Sequence, residues 1–256
     1  MLDYEMFADS ETVPITYDEL DTYLKNVSEE DVDEIANVLS ERLGVGKSNI
    51  VNIARLCTAM RKLVKDKSLN YITIDCFPYI MRRGFTPCIP LAFLNSIGVI
   101  AGCEGDLQAL ALMVIARGLT GHSGWIANPS GFDKGNLVLA HCTAALDIVQ
   151  APRVVPHFET GRPLSLTASL EKGTWTLTSL SYDFMVLGVA RVRMVKSGML
   201  SRNRCRTQAV VDIGNLDREV MLDIVPANHH VLMIGDQRAR LRRIAKLLSL
   251  EYLEYT

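Results

Sequence analysis

The sequence is short of every common catalytic signature. Its six cysteines, Cys57, Cys76, Cys88, Cys103, Cys142 and Cys205, include no Cys-x-x-Cys pair, which excludes a thioredoxin-type redox motif and the usual structural zinc spacings. Several sit inside apolar runs and read as buried thiols in a reducing compartment. There is no Gly-rich phosphate loop of recognised spacing and no Gly-x-Ser-x-Gly elbow. No uncharged apolar run approaches the roughly 18 residues of a transmembrane helix. The stretch Met1–Ser10 is acidic and lacks a basic-then-apolar signal pattern. A net charge of -2 supplies no overall basic surface for nucleic acid or a membrane. The expected setting is the cytoplasm, with no nucleic-acid or membrane partner. Internal repeats and low-complexity linkers are also missing.

What is present is a sizeable core and an uneven charge distribution. Hydrophobic residues make up 48% of the 256, enough for one large domain or two modest ones. Residues 1–44 carry thirteen Asp and Glu against Lys25 and Arg42. Residues 191–206 carry Arg191, Arg193, Lys196, Arg202, Arg204 and Arg206 and no acid. That run is either a solvated strand and loop, or a contact for an anion or for another subunit's acidic segment.

The first half reads as helix-rich α/β. Ser28 and Asp31 form a capping-box variant in front of a helix that Gly44 stops. Residues 47–66 keep Ile50, Ile53, Ala54, Leu56, Cys57, Met60 and Leu63 at helical spacing. Residues 71–76 form a short buried strand. Residues 88–98 are helical with Pro90 in the first turn, 99–103 are a strand end, and 107–119 are a strongly apolar helix. This alternation favours a parallel α/β layer. The second half reads as strands at 123–127, 136–141, 163–170, 174–181, 184–195 and 207–213, then a helix over 237–248. Such a run of antiparallel strands suggests a barrel or sandwich. The expected class is therefore α/β followed by all-β. Residues 1–122 form an α/β domain, and 123–256 a β-rich, barrel-like domain with a C-terminal helix.

The candidate chemistry is concentrated in a few blocks. In Cys103-Glu104-Gly105-Asp106, placed beyond a strand's carboxyl end, Glu104 either ligates a metal or moves a proton while Asp106 caps the helix, or both residues merely cap. His141 ends an apolar strand as either a ligand or a satisfied core residue. Of the adjacent His229 and His230, at most one reaches a common site if they lie on a strand, because neighbours there point to opposite faces. His157, before Phe158-Glu159-Thr160-Gly161, sits in a polar turn able to line a pocket. One carboxylate with two imidazoles suits a hard-to-borderline divalent ion, manganese better than structural zinc. Such an ion polarises a carbonyl and an adjacent hydroxyl together.

These blocks resemble the L-fucose isomerase and L-arabinose isomerase superfamily, and within it the fucose isomerase-related proteins. Cys103-Glu104-Gly105-Asp106 with Ala109-Leu110 is similar to the block carrying the family's metal-binding, catalytic glutamate. Leu139-Ala140-His141-Cys142-Thr143 is similar to the arabinose-isomerase-type histidine block. His157-Phe158-Glu159-Thr160-Gly161 resembles a block of the related proteins. Pro226-Ala227-Asn228-His229-His230 followed by Gly235-Asp236 resembles the C-terminal histidine block.

The resemblance spans residue 15 or so to the C-terminus and corresponds to the family's C-terminal two-thirds. It implies an aldose–ketose isomerase acting on a pentose or deoxyhexose through an ene-diol. It also implies Mn²⁺ held by Glu104, His141 and His229, with His230 as alternate. Glu104 is the implied base, His157, Glu159 and Asn228 contact the sugar, and the assembly is a homo-oligomer. Two departures stand out. Asn128 occupies the position of the family's second metal-binding carboxylate, which leaves Asp133 or Glu159 as substitutes. The family's front α/β domain has no counterpart here. The alternatives are a sugar-binding or regulatory homologue without turnover, or a subunit that needs a separate chain carrying the front domain.

Overall fold

The structure is a computed structural model describing residues 11–216 and 225–255. The acidic stretch 1–10 lies outside those residues. Helix α1 (Tyr17–Lys25) is capped by Thr16, whose hydroxyl accepts from Glu19 N at 3.1 Å. Helix α2 (Glu29–Leu43) starts at Ser28, which accepts from Asp31 N, and ends at left-handed Gly44. It buries Val32, Ile35, Ala36, Leu39 and Leu43, a 3.6-residue stripe facing the core. Helix α3 (Lys47–Asp66) packs on α1 and α2.

Strand β1 (Tyr71–Ile74), α4 (Cys76–Arg83), α5 (Cys88–Ser96), β2 (Ile100–Cys103) and α6 (Leu107–Thr120) follow. β1 and β2 pair in parallel, Tyr71 to Ile100 through Ile74 to Cys103. β2 can be overlaid by α6 because Gly102 has no side chain. A Cβ there would stand 3.1 Å from Thr73 Oγ1 and 3.3 Å from Leu110 Cδ1.

The change from helices to strands falls between α6 and β3 (Trp125–Asp133). After β3 come β4 (Asn136–His141), β5 (Val149–Val155), β6 (Ser165–Leu170), β7 (Gly173–Leu180), β8 (Val186–Gly198), β9 (Thr207–Asp212), β10 (His230–Ile234), α7 (Arg238–Leu247) and β11 (Glu251–Glu254). The main sheet runs β11-β8-β7-β10-β3-β4-β9, and β9 pairs again with β8. Six antiparallel strands thus close into a barrel, with β11 added in parallel to the start of β8. The 13-residue β8 makes closure possible. It pairs with β7 through Met194 and, past an irregularity between Met194 and Lys196, with β9 through Gly198. Hairpin β5–β6 packs its second strand against β8 and β9.

Strand alternation sorts the side chains. Trp125, Ala127, Leu139, Leu177, Ala190, Val211 and Leu232 belong to a core continuous with that of α2, α3 and α5. Ile126, Val231, Met233, Leu187 and Val189 point the other way, against α6 and α7. Trp125 is completely buried, and its indole N–H donates to Thr143 O at 3.0 Å, so its polar atom is satisfied as well.

The strand part of the basic run over 191–206 faces acids of its own chain. Arg193 meets Asp212 at 2.7 Å and Lys196 meets Asp133 at 2.8 Å. The acidic N-terminal residues are matched in the same way, Glu29 by Arg55 and Glu19 by Lys67. Among the described residues no helix is long and apolar enough to cross a membrane.

Candidate metal centre

The parallel pair β1–β2 ends near the end of β4 and the start of β10, and the predicted donors meet there. Glu104 is the first residue past β2. It holds a left-handed backbone, φ 60°, followed by Gly105 at φ 67°. A non-glycine residue pays roughly 1 kcal/mol for that conformation. The turn is pinned by Gly105 N donating to Ile74 O at 3.0 Å and Asp106 N donating to Cys103 O at 3.2 Å. Strain of this kind persists where surroundings over-determine it, which is common at functional sites. His141 is the last residue of β4, and His229 immediately precedes β10.

Glu104 Oε1 lies 3.3 Å from His141 Nε2, and Oε2 lies 3.6 Å from His229 Nε2. The two imidazoles meet edge to face with centroids 5.7 Å apart. Ligand atoms of Glu104, His141 and His229 all fall within 4.8 Å of one another. Both Nε2 atoms are buried and neither makes a hydrogen bond among the described residues. A buried polar atom without a hydrogen bond is costly, and Glu104 meets these two nitrogens only at ion-pair distance. The side chains of His141 and His229 are 1% and 10% exposed, whereas Glu104 is 30% exposed, so access to the cluster is from the carboxylate side. The group could therefore hold a metal ion.

Asp106 orients His229 while it caps α6. Its Oδ1 accepts from Ala109 N at 2.7 Å, and its Oδ2 accepts from His229 Nδ1 at 2.7 Å. That bond frees Nε2 toward Glu104, as outer carboxylates do for ligating imidazoles. Burial works to lower the His229 pKa, but the bond to Asp106 and the charge of Glu104 raise it above its ordinary value. His141 beside it holds Glu104 below the usual carboxylate range, against the opposing effect of burial.

The other expected residues sort into neighbours and bystanders. His230 shares its strand parity with Leu232 and turns into the barrel. It is fully buried, and its Nδ1 donates to Asn228 O at 3.0 Å. It therefore stands apart from the Glu104 cluster, and the expected alternate ligand position is not where it sits. Asn128 lies on β3 opposite Ala140, next to His141, but its carbonyl accepts from Asn228 Nδ2 at 2.8 Å. Asp133 is no substitute carboxylate, because it lies at the far end of β3 in an ion pair with Lys196. Glu159 is committed on both oxygens, to Cys205 Sγ at 3.0 Å and His157 Nε2 at 3.3 Å. His157 is 1% exposed, bonded through Nδ1 to Thr160 Oγ1 at 3.1 Å and edge-on to Phe77.

Two features were not legible in the sequence. One is the second role of Asp106, visible only once His229 is placed beside it. The other is a set of sulfur atoms under the cluster, including Cys142 Sγ at 3.9 Å from His141 Nδ1. Other surface depressions lie away from the cluster. One is walled by Arg238, Arg242 and Glu254, which already pair with one another. The chain matches no family model, and no curated protein matches it in sequence.

Proposed function

We propose that the protein is an aldose–ketose isomerase-like enzyme of the L-fucose/L-arabinose isomerase type, acting on an open-chain pentose or deoxyhexose. The observation that carries this reading is one carboxylate aimed at two buried imidazole nitrogens that make no hydrogen bond among the described residues. Glu104, His141 and His229 would hold a divalent ion, Mn²⁺ by the mixture of hard carboxylate and borderline imidazole donors. When bound, the ion supplies Lewis-acid polarisation of neighbouring sugar oxygens.

The chain's own residues supply the remainder. Glu104, the solvent-reaching carboxylate, moves the proton between adjacent sugar carbons by way of an ene-diol. Asp106 fixes the His229 ring. Asn228, one residue before His229, and Asn128, its partner, offer hydrogen bonds to sugar hydroxyls, whereas His157 and Glu159 are engaged with each other and with Thr160 and Cys205. Asn128 carries no charge and cannot act as a base, so proton transfer falls to Glu104. The protein self-associates, with a neighbouring copy completing the sugar-binding surface. Light scattering at tens of micromolar should give more than one chain per particle.

The test is solvent proton exchange at the sugar α-carbon, followed by NMR in D₂O with a panel of pentoses and deoxyhexoses and added Mn²⁺. Wild type should exchange and isomerise; Glu104→Gln should do neither. Asn128 favours a second reading, a sugar-binding homologue without turnover. Mn²⁺-dependent sugar binding with no proton exchange in wild type would select it.

A further inference from the structure

Below the Glu104 cluster the fold gathers four cysteines that are far apart in sequence. Cys76 opens α4, Cys88 opens α5, Cys103 ends β2 and Cys142 follows β4. All four are buried. In space they form a chain. Cys76 Sγ is 3.5 Å from Cys103 Sγ, Cys103 Sγ lies within 4.8 Å of Cys142 Sγ, and Cys142 Sγ is 3.4 Å from Cys88 Sγ. His157 closes one end. A ring nitrogen of His157 and the sulfurs of Cys88 and Cys142 all lie within 4.8 Å of one another.

This spacing is what metal ligation requires. Metal–sulfur bonds of about 2.3 Å at tetrahedral angles place two ligand sulfurs roughly 3.8 Å apart. The donors come from α5, the end of β4 and the loop after β5, each anchored in the core, so they are pre-positioned. Two sulfurs and an imidazole are a soft set, unlike the carboxylate–imidazole set above. His157 also has the outer partners expected of a ligating ring, Thr160 on Nδ1 and Glu159 on Nε2, one of which stays when the other nitrogen binds.

We propose that Cys88, Cys142 and His157 form a second metal site, for a thiophilic d¹⁰ cation, Zn²⁺ or Cu⁺, with Cys103 the next sulfur in line for a fourth position. The ion ties the start of α5, the end of β4 and the 156–162 loop together beneath the first cluster. The site stands independently of the isomerase reading, since none of its three ligands belongs to the Glu104 set.

The full chain should be expressed in minimal medium with cobalt, so that the buried site loads as it folds, and purified without chelator. Thiolate-to-cobalt charge transfer in the near ultraviolet reports sulfur ligation and is blind to cobalt on Glu104, His141 and His229. Wild type should show the band. Cys88→Ser and Cys142→Ser should lose it, and Glu104→Gln should keep it. His157→Gln keeps both sulfurs and should weaken cobalt retention at least about tenfold against a chelator. It decides the matter if the serine variants lose their circular dichroism. Metal analysis after growth with zinc or with copper then distinguishes Zn²⁺ from Cu⁺. A wild-type protein that retains cobalt with no charge-transfer band, or a band that survives both serine variants or chelator resistance unchanged in His157→Gln, overturns the proposal and leaves packed thiols only.

Discussion

Asp106 serves two partners with its two oxygens, so substitutions there separate helix capping from imidazole orientation. Serine caps a helix nearly as well as aspartate but is too short to reach His229 Nδ1, now 2.7 Å from the carboxylate. Alanine loses both contacts. Losing the charge-assisted bond to His229 should cost about 1.5–3 kcal/mol, and losing the cap about 1 kcal/mol more. For a chain of this size each kcal/mol moves the melting temperature by roughly 2–4 °C. Asp106→Ala should therefore melt about 2–4 °C below Asp106→Ser, and both should melt below wild type.

Metal affinity should behave differently. Removing the outer partner of a ligating imidazole typically costs 10–100-fold, so Asp106→Ser and Asp106→Ala should lose the same fraction of Mn²⁺ affinity despite unequal stabilities. The assay is Mn²⁺ titration by melting shift, with calorimetry on the serine variant. If Asp106→Ser binds Mn²⁺ as tightly as wild type, His229 is not positioned for a metal and the site assignment fails.

Mn²⁺ at a hundred times its dissociation constant should stabilise the wild type by about 2.7 kcal/mol, and His141→Ala or Glu104→Gln should abolish that shift in differential scanning calorimetry. Asn128→Asp should tighten Mn²⁺ binding, since it places an anion against Asn228, one residue before His229, while the Asn228 amide keeps an acceptor; isothermal titration giving equal or weaker binding would refute the alignment. Burial pushes the His230 pKa down to about 4, so above pH 6.5 both folded and unfolded states leave it neutral. Below that only the unfolded state takes the proton, and stability should fall by up to about 3 kcal/mol before levelling near pH 4. Burial also lowers His157, with the same sign, so His230→Gln should flatten the urea-denaturation profile across that window in part, and an unchanged profile would show that His230 titrates freely.

The sequence is most readable where one signal dominates. Helices α2, α3, α5, α6 and α7, five of the six barrel strands and the hairpin strand β6 follow from capping residues and apolar period. The elements that escaped it have mixed signals. Strand β5 contains Pro152, which argues against a strand, and it survives in a two-stranded hairpin with an irregular register between Gln150 and Arg153. Helix α4 carries Pro78, tolerated because the first turn has no intrahelical acceptor for its missing N–H. β10 is only five residues long and opens on His230, and β11 is four residues with glutamate at both ends. Glu104 and His141 could be picked out because one follows and the other ends an apolar strand, where chain order alone predicts a rim. The choice between His229 and His230 needed the register of β10, which puts His230 opposite Ala127 and leaves His229 outside the ladder.

The cysteines were opaque for a different reason. Metal motifs are recognised by local spacing, and positions 76, 88, 103 and 142 have none. Their proximity is a product of topology, because α4 follows β1, α5 precedes β2, and the barrel brings the end of β4 to the same place. The pairs Cys103-Glu104 and Cys142-His141 show how one fold produces two donor layers. Successive residues leaving a strand point to opposite sides, so each strand end sends a hard or borderline donor one way and a sulfur the other. The left-handed turn at Glu104 carries its carboxylate toward solvent, while Cys103, paired with Ile74 across the sheet, stays in the core. The hard layer is thereby open to solvent and the soft layer is sealed from it. That division suits an exchangeable ion for chemistry above and a retained ion for structure below.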